Sequence, residues 1–173
     1  MKFEFDKYIL RKPEDKDAES IYKNYTRSEN ITKYLIWKPH KTLQDSIDWI
    51  NYCKTVFDEK KNLKYVIAIK ESDEAIGMID APVDGFQAGI GYVLSEKYWG
   101  LNIMTQALKI ILDTLFSQNY IYRIWALHDI DNPASGRVME KAGMKFEGIV
   151  KRGAILPNLS EEPRDMKLWA ITK

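Results

Sequence analysis

The sequence is poor in the residues that build disulfides and metal centres. It contains one cysteine, Cys53, which excludes an intramolecular disulfide and a zinc site made of several cysteines. Its two histidines, His40 and His128, show no metal-ligand spacing with each other or with the cysteine. We therefore expect a protein without a metal site, from a reducing compartment.

The sequence also lacks an excess of one charge and a long apolar run. It has 26 basic and 25 acidic residues, and this balance argues against binding nucleic acid or a membrane surface by charge alone. Apolar stretches such as residues 109–116 are interrupted by charge and too short to span a bilayer. The first residues are too polar for a signal peptide. We expect a soluble, cytoplasmic protein without a nucleic-acid or membrane partner.

Hydrophobic periodicity and turn residues predict a single domain over residues 1–173 with an α/β (α+β) fold. The predicted strands cover residues 8–12, 65–69, 75–79, 87–94, 122–127, 145–151 and 166–171. The predicted helices cover residues 17–25, a segment that begins at Thr42, residues 105–117, and a segment between Asn132 and Gly143. Helix 105–117 is apolar around most of its circumference, so the strands before and after it should lie parallel on one sheet.

The turn at residues 99–105 follows a strand and opens the buried helix. Such a turn directs backbone N–H groups and the positive end of the helix dipole at one point, which suits a phosphate or pyrophosphate. Gly100 permits a positive φ, and Asn102 tolerates one better than most residues. Taken alone, the turn is better explained as a plain strand-to-helix connection that needs a glycine.

A second group of polar residues lies at Asn132 and Ser135, at the start of the following helix. Asn132 is a suitable N-cap before Pro133, and Ser135 is a first-turn hydroxyl that can bind the backbone. Both side chains could instead face a groove beside the end of the preceding strand.

These segments together resemble a known family. Residues 90–108, 131–135 and 140–148 are similar to the GNAT superfamily of acetyl-CoA-dependent N-acetyltransferases. The closest likeness is to the RimJ/RimL branch, which acetylates N-terminal amines of ribosomal proteins. The resemblance implies a mixed, mostly antiparallel twisted sheet of about seven strands with helices on both faces. It also implies direct transfer of an acetyl group from acetyl-CoA to a primary amine in a ternary complex.

The resemblance assigns a cofactor site to three stretches of the chain. The pyrophosphate loop would be Trp99, Gly100, Leu101, Asn102, Ile103, Met104 and Thr105, and the strand beside the pantetheine arm would end at Tyr92, Val93 and Leu94. Asn132 would hydrogen-bond that arm and Ser135 would lie near the sulfur. Arg137 and Lys141 would lie near the nucleotide end, although solvated helix charges explain these two equally well.

For catalysis, the resemblance suggests that the backbone near Leu94 stabilises the thioester oxygen and that Ser135 assists the departing thiolate. Tyr34 and Trp37 would line the acceptor groove, with core aromatics as the alternative. An α-amine has a pKa of about 7.7–8.0, against about 10.4 for lysine, so it loses its proton more readily at neutral pH. We therefore favour the N-terminal α-amine of a protein or peptide as the acceptor.

Five residues depart from the family pattern. Trp99 stands where the family loop has Gln or Arg, and Asn102 where it has Gly. Met104 stands where a small residue is expected, Met139 where many members have a general-acid tyrosine, and Gly89 where the branch often has a glutamate. Two alternatives therefore stay open at this point. They are acetylation of a small amine, such as a polyamine or an aminoglycoside, and a non-catalytic regulatory module that binds acyl-CoA. The sequence is compatible with a monomer or a homodimer.

Overall fold

Eight strands join into one sheet in the computed structural model, which describes residues 1–173. The strands are β1 (Phe3–Phe5), β2 (Tyr8–Arg11), β3 (Asn62–Ile69), β4 (Ala75–Asp84), β5 (Gln87–Leu94), β6 (Arg123–Asp129), β7 (Lys145–Ala154) and β8 (Arg164–Thr172). The helices are α1 (Asp17–Ile21), α2 (Glu29–Thr32), α3 (Leu43–Val56), α4 (Ile103–Phe116) and α5 (Pro133–Lys141). A wider π-helical turn, Tyr22–Thr26, continues α1. None of the helices combines the length and apolarity needed to cross a membrane.

The strands lie in the order β1-β2-β3-β4-β5-β6-β8-β7, and every neighbouring pair is antiparallel except β5 and β6. Those two run parallel and are connected through α4, as the sequence predicted. The mixed, mostly antiparallel sheet is therefore confirmed, with eight strands where about seven were expected. The additional strand is β1, whose three residues are too few to show a strand periodicity.

Some predicted boundaries are wrong. Strand β4 runs to Asp84 instead of ending near residue 79, because its pairing with β5 continues past Pro82 to the Asp84–Gln87 pair. As a result, Asp80 lies inside a strand and not in a turn. Helix α4 begins at Ile103, two positions before its predicted start, because the turn that precedes it is tighter than expected.

Hydrophobic cores cover both faces of the sheet. The larger core packs α4 and α5 against the strands, and the smaller one packs α1 and α3 against the opposite face. Thr42 begins α3 with the predicted cap: its hydroxyl accepts a hydrogen bond from the Asp45 backbone, and the Asp45 carboxylate accepts one from the Thr42 backbone. The helices thereby pack against the sheet from both sides.

Strands β5 and β6 separate halfway along their length. They pair from Gln87–Arg123 to Ile90–Ala126, and no pairing between them continues beyond this point. Residues 91–94 of β5 pair only with β4, and residues 127–129 of β6 pair only with β8. The facing edges of the two strands therefore carry unpaired backbone N–H and C=O groups on either side of an opening.

The core contact of α4 gives a first prediction. Leu108 is fully buried in the larger core, so Leu108→Ala should lower the free energy of unfolding by about 2–5 kcal/mol. The adjacent Lys109 is exposed, and Lys109→Ala should change it by less than about 0.5 kcal/mol. Urea denaturation of both variants measures the difference, and equal stabilities would contradict the packing described here.

Candidate active site

A cavity of ≈ 490 Å³ opens where β5 and β6 separate. Its walls are the end of β5, the turn before α4, the first turns of α4 and α5, and the segment around α2. The sequence-predicted residues that line it are Tyr34, Tyr92, Val93, Leu94, Trp99, Gly100, Asn102, Ile103, Met104, Thr105, Asn132, Ser135, Arg137 and Lys141. The volume lies in the range of small-molecule sites. Residues far apart in the sequence thus converge on one opening.

The turn before α4 has the backbone shape that its residues suggested. Gly100 has φ +78° and Asn102 has φ +63°, both in the left-handed region. Asn102 occupies the N-cap position without a side-chain cap bond, so the first N–H groups of α4 have no side-chain partner from that residue. Unpaired N–H groups and the helix dipole make this wall of the cavity suited to an anion.

Trp99 fastens this turn to the end of β5. Its indole Nε1 donates a hydrogen bond of 2.8 Å to the carbonyl of Leu94, while half of the residue stays exposed. The contact fixes the distance between the anion-binding turn and the open strand edge. Trp99, which stands where the family pattern has Gln or Arg, therefore has a structural role in this chain.

Met104 is one of the residues that line the cavity, but its side chain is almost entirely buried. It is 5% exposed and packs within the larger hydrophobic core, at the first turn of α4. Met139 is also buried in this core and has no group that could donate a proton. The departure at Met104 is thus accommodated by packing, and the one at Met139 leaves general-acid chemistry to other residues.

Asn132 and Ser135 form a linked pair at the start of α5. The Asn132 Oδ1 accepts a hydrogen bond from the Ser135 backbone N–H at 3.4 Å, which confirms the predicted cap. Because a backbone N–H only donates, this contact fixes the amide orientation, and Nδ2 donates to the Ser135 Oγ at 3.0 Å. The Ser135 hydroxyl therefore acts as an acceptor toward Asn132 and keeps its own proton available for another partner.

Tyr92 holds Ser135 from the opposite wall of the cavity. Its hydroxyl donates a 3.0 Å hydrogen bond to the Ser135 carbonyl, and burial raises the pKa of Tyr92 above its ordinary value. The phenol therefore stays protonated and keeps donating throughout the neutral range. This bond joins β5 to α5 across the opening.

A buried ion pair supports the turn that carries Asn132. Burial alone would raise the pKa of the Asp129 carboxyl, but two hydrogen bonds from Arg164, at 2.6 and 3.0 Å, lower it below its ordinary value. Arg164 also donates to Asp131 at 2.8 Å. Sequence reasoning missed Arg164 and Asp131, because no local pattern pairs residues more than 30 positions apart.

Both ring nitrogens of His128 are engaged in hydrogen bonds within the protein. Its Nε2 accepts a hydrogen bond from the Trp169 indole at 3.0 Å, so the proton of the neutral ring lies on Nδ1, which donates to the Asp129 carbonyl at 2.8 Å. Burial lowers the pKa of His128, which keeps the ring neutral. Gly136 of α5 lies against this ring, where a Cβ would meet Nε2 at 2.7 Å. The histidine thus positions α5 instead of serving as a metal ligand.

Some predicted residues lie outside the cavity, and some cavity residues were not predicted. Leu101 and Trp37 do not line it. Leu101 is 57% exposed, and the Trp37 carbonyl accepts a 2.8 Å hydrogen bond from Asn158, a residue of the β7–β8 loop. The lining residues that the sequence did not single out are Asn30, Ile31, Lys33, Leu35, Tyr98, Asp131, Pro133, Ala134 and Val138. Four of them lie in segments that carry the family resemblance but were given no role: Tyr98, Asp131, Pro133 and Ala134.

Gly89 lies under an aromatic ring. A Cβ at this position would lie 3.2 Å from the indole of Trp125, whose ring covers the glycine from β6, so a side chain here would require the ring to shift. No acidic side chain is present at this point of β5.

A comparison with known proteins identifies the family. The acetyltransferase (GNAT) domain model matches residues 7–145. The chain belongs to the GNAT acetyltransferase family.

The relatives of this GNAT acetyltransferase extend over nearly its full length. The uncharacterized N-acetyltransferase YoaA of Bacillus subtilis is 27% identical and covers 98% of this chain and 96% of its own. The ribosomal-protein-serine acetyltransferase of Escherichia coli is 27% identical over 79% of this chain and 82% of its own. The crystal structure of the microcin C7 self-immunity acetyltransferase MccE, in complex with acetyl-CoA and AMP, superposes with a TM-score of 0.86 at 23% identity, covering 98% and 94% of the two chains.

The family, the fold and the enzyme class predicted from the sequence are confirmed: this is an acetyl-CoA-dependent N-acetyltransferase of the GNAT family. No group of three or more His, Cys, Asp or Glu side chains in the structure could hold a metal ion.

The left-handed backbone at Asn102 gives a second prediction. Alanine is disfavoured there by about 1–2 kcal/mol, whereas glycine adopts the conformation freely. We expect Asn102→Ala to weaken acetyl-CoA binding about fivefold and Asn102→Gly to change it by less than about twofold. Isothermal titration of both variants with acetyl-CoA measures the effect. Tight binding by the alanine variant would show that the turn does not set the affinity.

Proposed function

We propose that the protein transfers the acetyl group of acetyl-CoA to the N-terminal α-amine of a protein or peptide by direct attack in a ternary complex. The observation that carries the proposal is the cavity at the β5–β6 split, where an anion-binding helix N-terminus, an open strand edge and the Ser135 hydroxyl converge. Acetyl-CoA presents a pyrophosphate, an amide-bearing arm and a thioester, in that order. The three features meet those three groups.

The residues that would hold acetyl-CoA fit its chemistry. The N–H groups of Ile103, Met104 and Thr105, at the first turn of α4, would bind the pyrophosphate. The free edge of β5 at Tyr92 to Leu94 would pair with the amides of the pantetheine arm as a neighbouring strand does. Lys33, Arg137 and Lys141 bring positive charge to the same cavity, which suits the phosphates of the nucleotide end.

Two groups would act on the reacting atoms. A backbone N–H on the open edge of β5 near Leu94 would stabilise negative charge on the carbonyl oxygen as the amine attacks. The Ser135 hydroxyl, whose proton Asn132 leaves free, would donate to the thiolate as it departs. Tyr92 holds the Ser135 carbonyl, so much of the rate would come from fixed positions of the two substrates.

The choice of an α-amine rests on proton chemistry and on one relative. An α-amine with a pKa of about 7.7–8.0 is partly neutral at physiological pH, so it needs less help from a base than a lysine does. No carboxylate stands at Gly89 to provide strong help there. The Escherichia coli relative is a ribosomal-protein-serine acetyltransferase by name, which supports a protein N-terminus as the acceptor. Tyr34 lines the cavity and would contact this acceptor. The same proposal expects a cytoplasmic monomer or homodimer, folded as one domain.

The proposal is tested by thiol release from acetyl-CoA with two matched peptides. One carries a free N-terminal serine and no lysine; the other has the same sequence with an acetylated N-terminus and one lysine. We expect turnover with the first peptide only, because only its amine is substantially neutral near pH 7.5. Turnover with the lysine peptide alone would contradict the proposed acceptor. Binding of acetyl-CoA without turnover on either peptide, or on spermidine, would favour a regulatory module.

The role of Ser135 gives a third prediction. Ser135→Ala keeps the backbone cap to Asn132 but removes the only hydroxyl proton assigned to the leaving thiolate. We expect kcat to fall by about 10²-fold while the Kd for acetyl-CoA stays within about twofold. Steady-state kinetics and titration separate the two effects. Ser117→Ala, at the far end of α4, is the matched control and should leave kcat unchanged. Full turnover by the Ser135 variant would remove Ser135 from the mechanism.

A further inference from the structure

Few carboxylates near the split are free to take a proton. Asp129 is fully buried with both oxygens bonded to Arg164, and Asp131 is paired with the same guanidinium. Position 89 carries a glycine. Glu96, just past the end of β5, accepts a 2.8 Å hydrogen bond from Asn30. Asp80 on β4 does not itself line the cavity, but it lies directly across from Gly91 of β5, close to the split.

Asp80 is positioned at the point where the split begins. The last pair between β5 and β6 is Ile90–Ala126, so Gly91 is the first residue of β5 with a free edge. A Cβ on Gly91 would lie 2.7 Å from the Asp80 Oδ1, which shows that the carboxylate rests on the glycine backbone. Any larger residue at position 91 would displace it. The carboxylate thus leans over the open strand from β4, as Trp125 leans over Gly89 from β6.

One oxygen of Asp80 is held and the other is available. Oδ2 accepts a hydrogen bond from the Lys64 ammonium at 3.4 Å, and no other side chain donates a hydrogen bond to the carboxylate. The Lys64 ammonium also lies 5.4 Å from the ring centre of Trp49 and 5.9 Å from that of Tyr52. Both rings therefore make cation–π interactions with it. The Asp80 side chain is 33% exposed to solvent, whereas the Lys64 side chain is 7% exposed.

Burial raises the pKa of Asp80, and Lys64 opposes that rise without cancelling it. The charged and titratable side chains that face the carboxylate are Lys64 from β3 and Cys53 from α3; β5 contributes only Gly91. Burial raises the pKa of Cys53 to about 12, so the thiol stays neutral and Lys64 is the single charge that acts on Asp80 near pH 7. A carboxylate with a raised pKa is a better proton acceptor than an ordinary surface acid.

We propose that Asp80, positioned by Lys64 and by the absence of a side chain at Gly91, binds the ammonium form of the acceptor and takes its proton. This inference rests on the proposed function, since it assumes that the acceptor enters from the α3 face of the split. One proton moves from the ammonium nitrogen to Oδ1, which leaves a neutral amine and a protonated Asp80. The nitrogen lone pair then forms the C–N bond as the C–S bond breaks, with its electron pair on sulfur. A second proton from the nitrogen ends on that thiolate through the Ser135 hydroxyl, and Asp80 returns its proton to solvent.

Asp80→Asn tests the proposal, with the N-terminal serine peptide as acceptor. We expect kcat at pH 7 to fall by about 10²-fold or more and the Kd for acetyl-CoA to stay within about twofold. The pH profile separates catalysis from structure. Wild-type kcat should depend on pH less steeply than the variant's around neutral pH, because Asp80 takes the proton that the variant's acceptor must lose to solvent. The variant's kcat should rise about tenfold per pH unit until the α-amine loses its own proton, near a pKa of about 7.7–8.0.

Asp84→Asn is the matched control, because it removes the same charge from an exposed position on the same strand. It should leave kcat and the pH profile unchanged. Asp80→Asn leaves the buried Lys64 without its partner, so the double variant Asp80→Asn/Lys64→Met provides the same readouts where the single variant does not fold. Thermal unfolding with and without acetyl-CoA establishes that each variant is folded.

Two distinct results would overturn the inference. If the wild type is active and the kcat of Asp80→Asn lies within about threefold of the wild-type value with the same pH profile, Asp80 is not the base. A wild type that binds acetyl-CoA but acetylates neither the peptide nor spermidine would refute the proposed function itself, and the role of Asp80 with it.

Discussion

The separation of β5 from β6 is the constraint on which the rest of the site depends. Parallel strands that stay paired satisfy each other's backbone groups, but here the pairing stops at Ile90–Ala126 while both strands continue. The free edges must find other partners, and an extended molecule with amide groups is a suitable one. In the proposed ternary complex, acetyl-CoA on the α4 and α5 side and an acceptor from the α3 side would meet at this opening.

The elements around the split hold it at a defined width. Trp99 bonds the turn before α4 to the end of β5, and Tyr92 bonds β5 to α5. On the β6 side, Arg164 fixes both Asp129 and Asp131, so the segment that leads into α5 is held by charge from β8. These contacts join the walls formed by β5, the turn before α4 and the start of α5 with directional bonds. Directional bonds of this kind keep donors at set positions, which is what an electrostatic contribution to catalysis requires.

The parts of the site that could be predicted are those with local chemical causes. Gly100 and Asn102 adopt the left-handed backbone that their side chains tolerate, and Asn132 before Pro133 caps α5 as such residues do. Strand pairing and the helix order followed from periodicity and from the rule for parallel crossovers. The resemblance to the family supplied the roles, which composition and spacing do not contain.

The parts that could not be predicted depend on contacts between distant segments. Arg164 meets Asp129 from 35 positions away, and Asn158 reaches Thr32 and Trp37 across more than 120. Asp80 fell outside the predicted strand 75–79, whereas β4 continues to Asp84 through its pairing with β5. Its partner Lys64 belongs to another strand, and only the register of β3, β4 and β5 brings Lys64, Asp80 and Gly91 into one row.

That row also explains where negative charge lies on this face of the sheet. A side chain at position 89 would press against Trp125, with its Cβ 3.2 Å from the ring, whereas Asp80 on β4 finds room over Gly91. The carboxylate therefore reaches this face of β5 from the neighbouring strand. Its position on β4 also places the charge next to Lys64, which stabilises it when ionised and counters the cost of burial. Two glycines on one face of β5 therefore have opposite consequences: Gly89 admits an aromatic ring, and Gly91 admits a carboxylate. The chemistry available on this face follows from which neighbour fills the space that each glycine leaves.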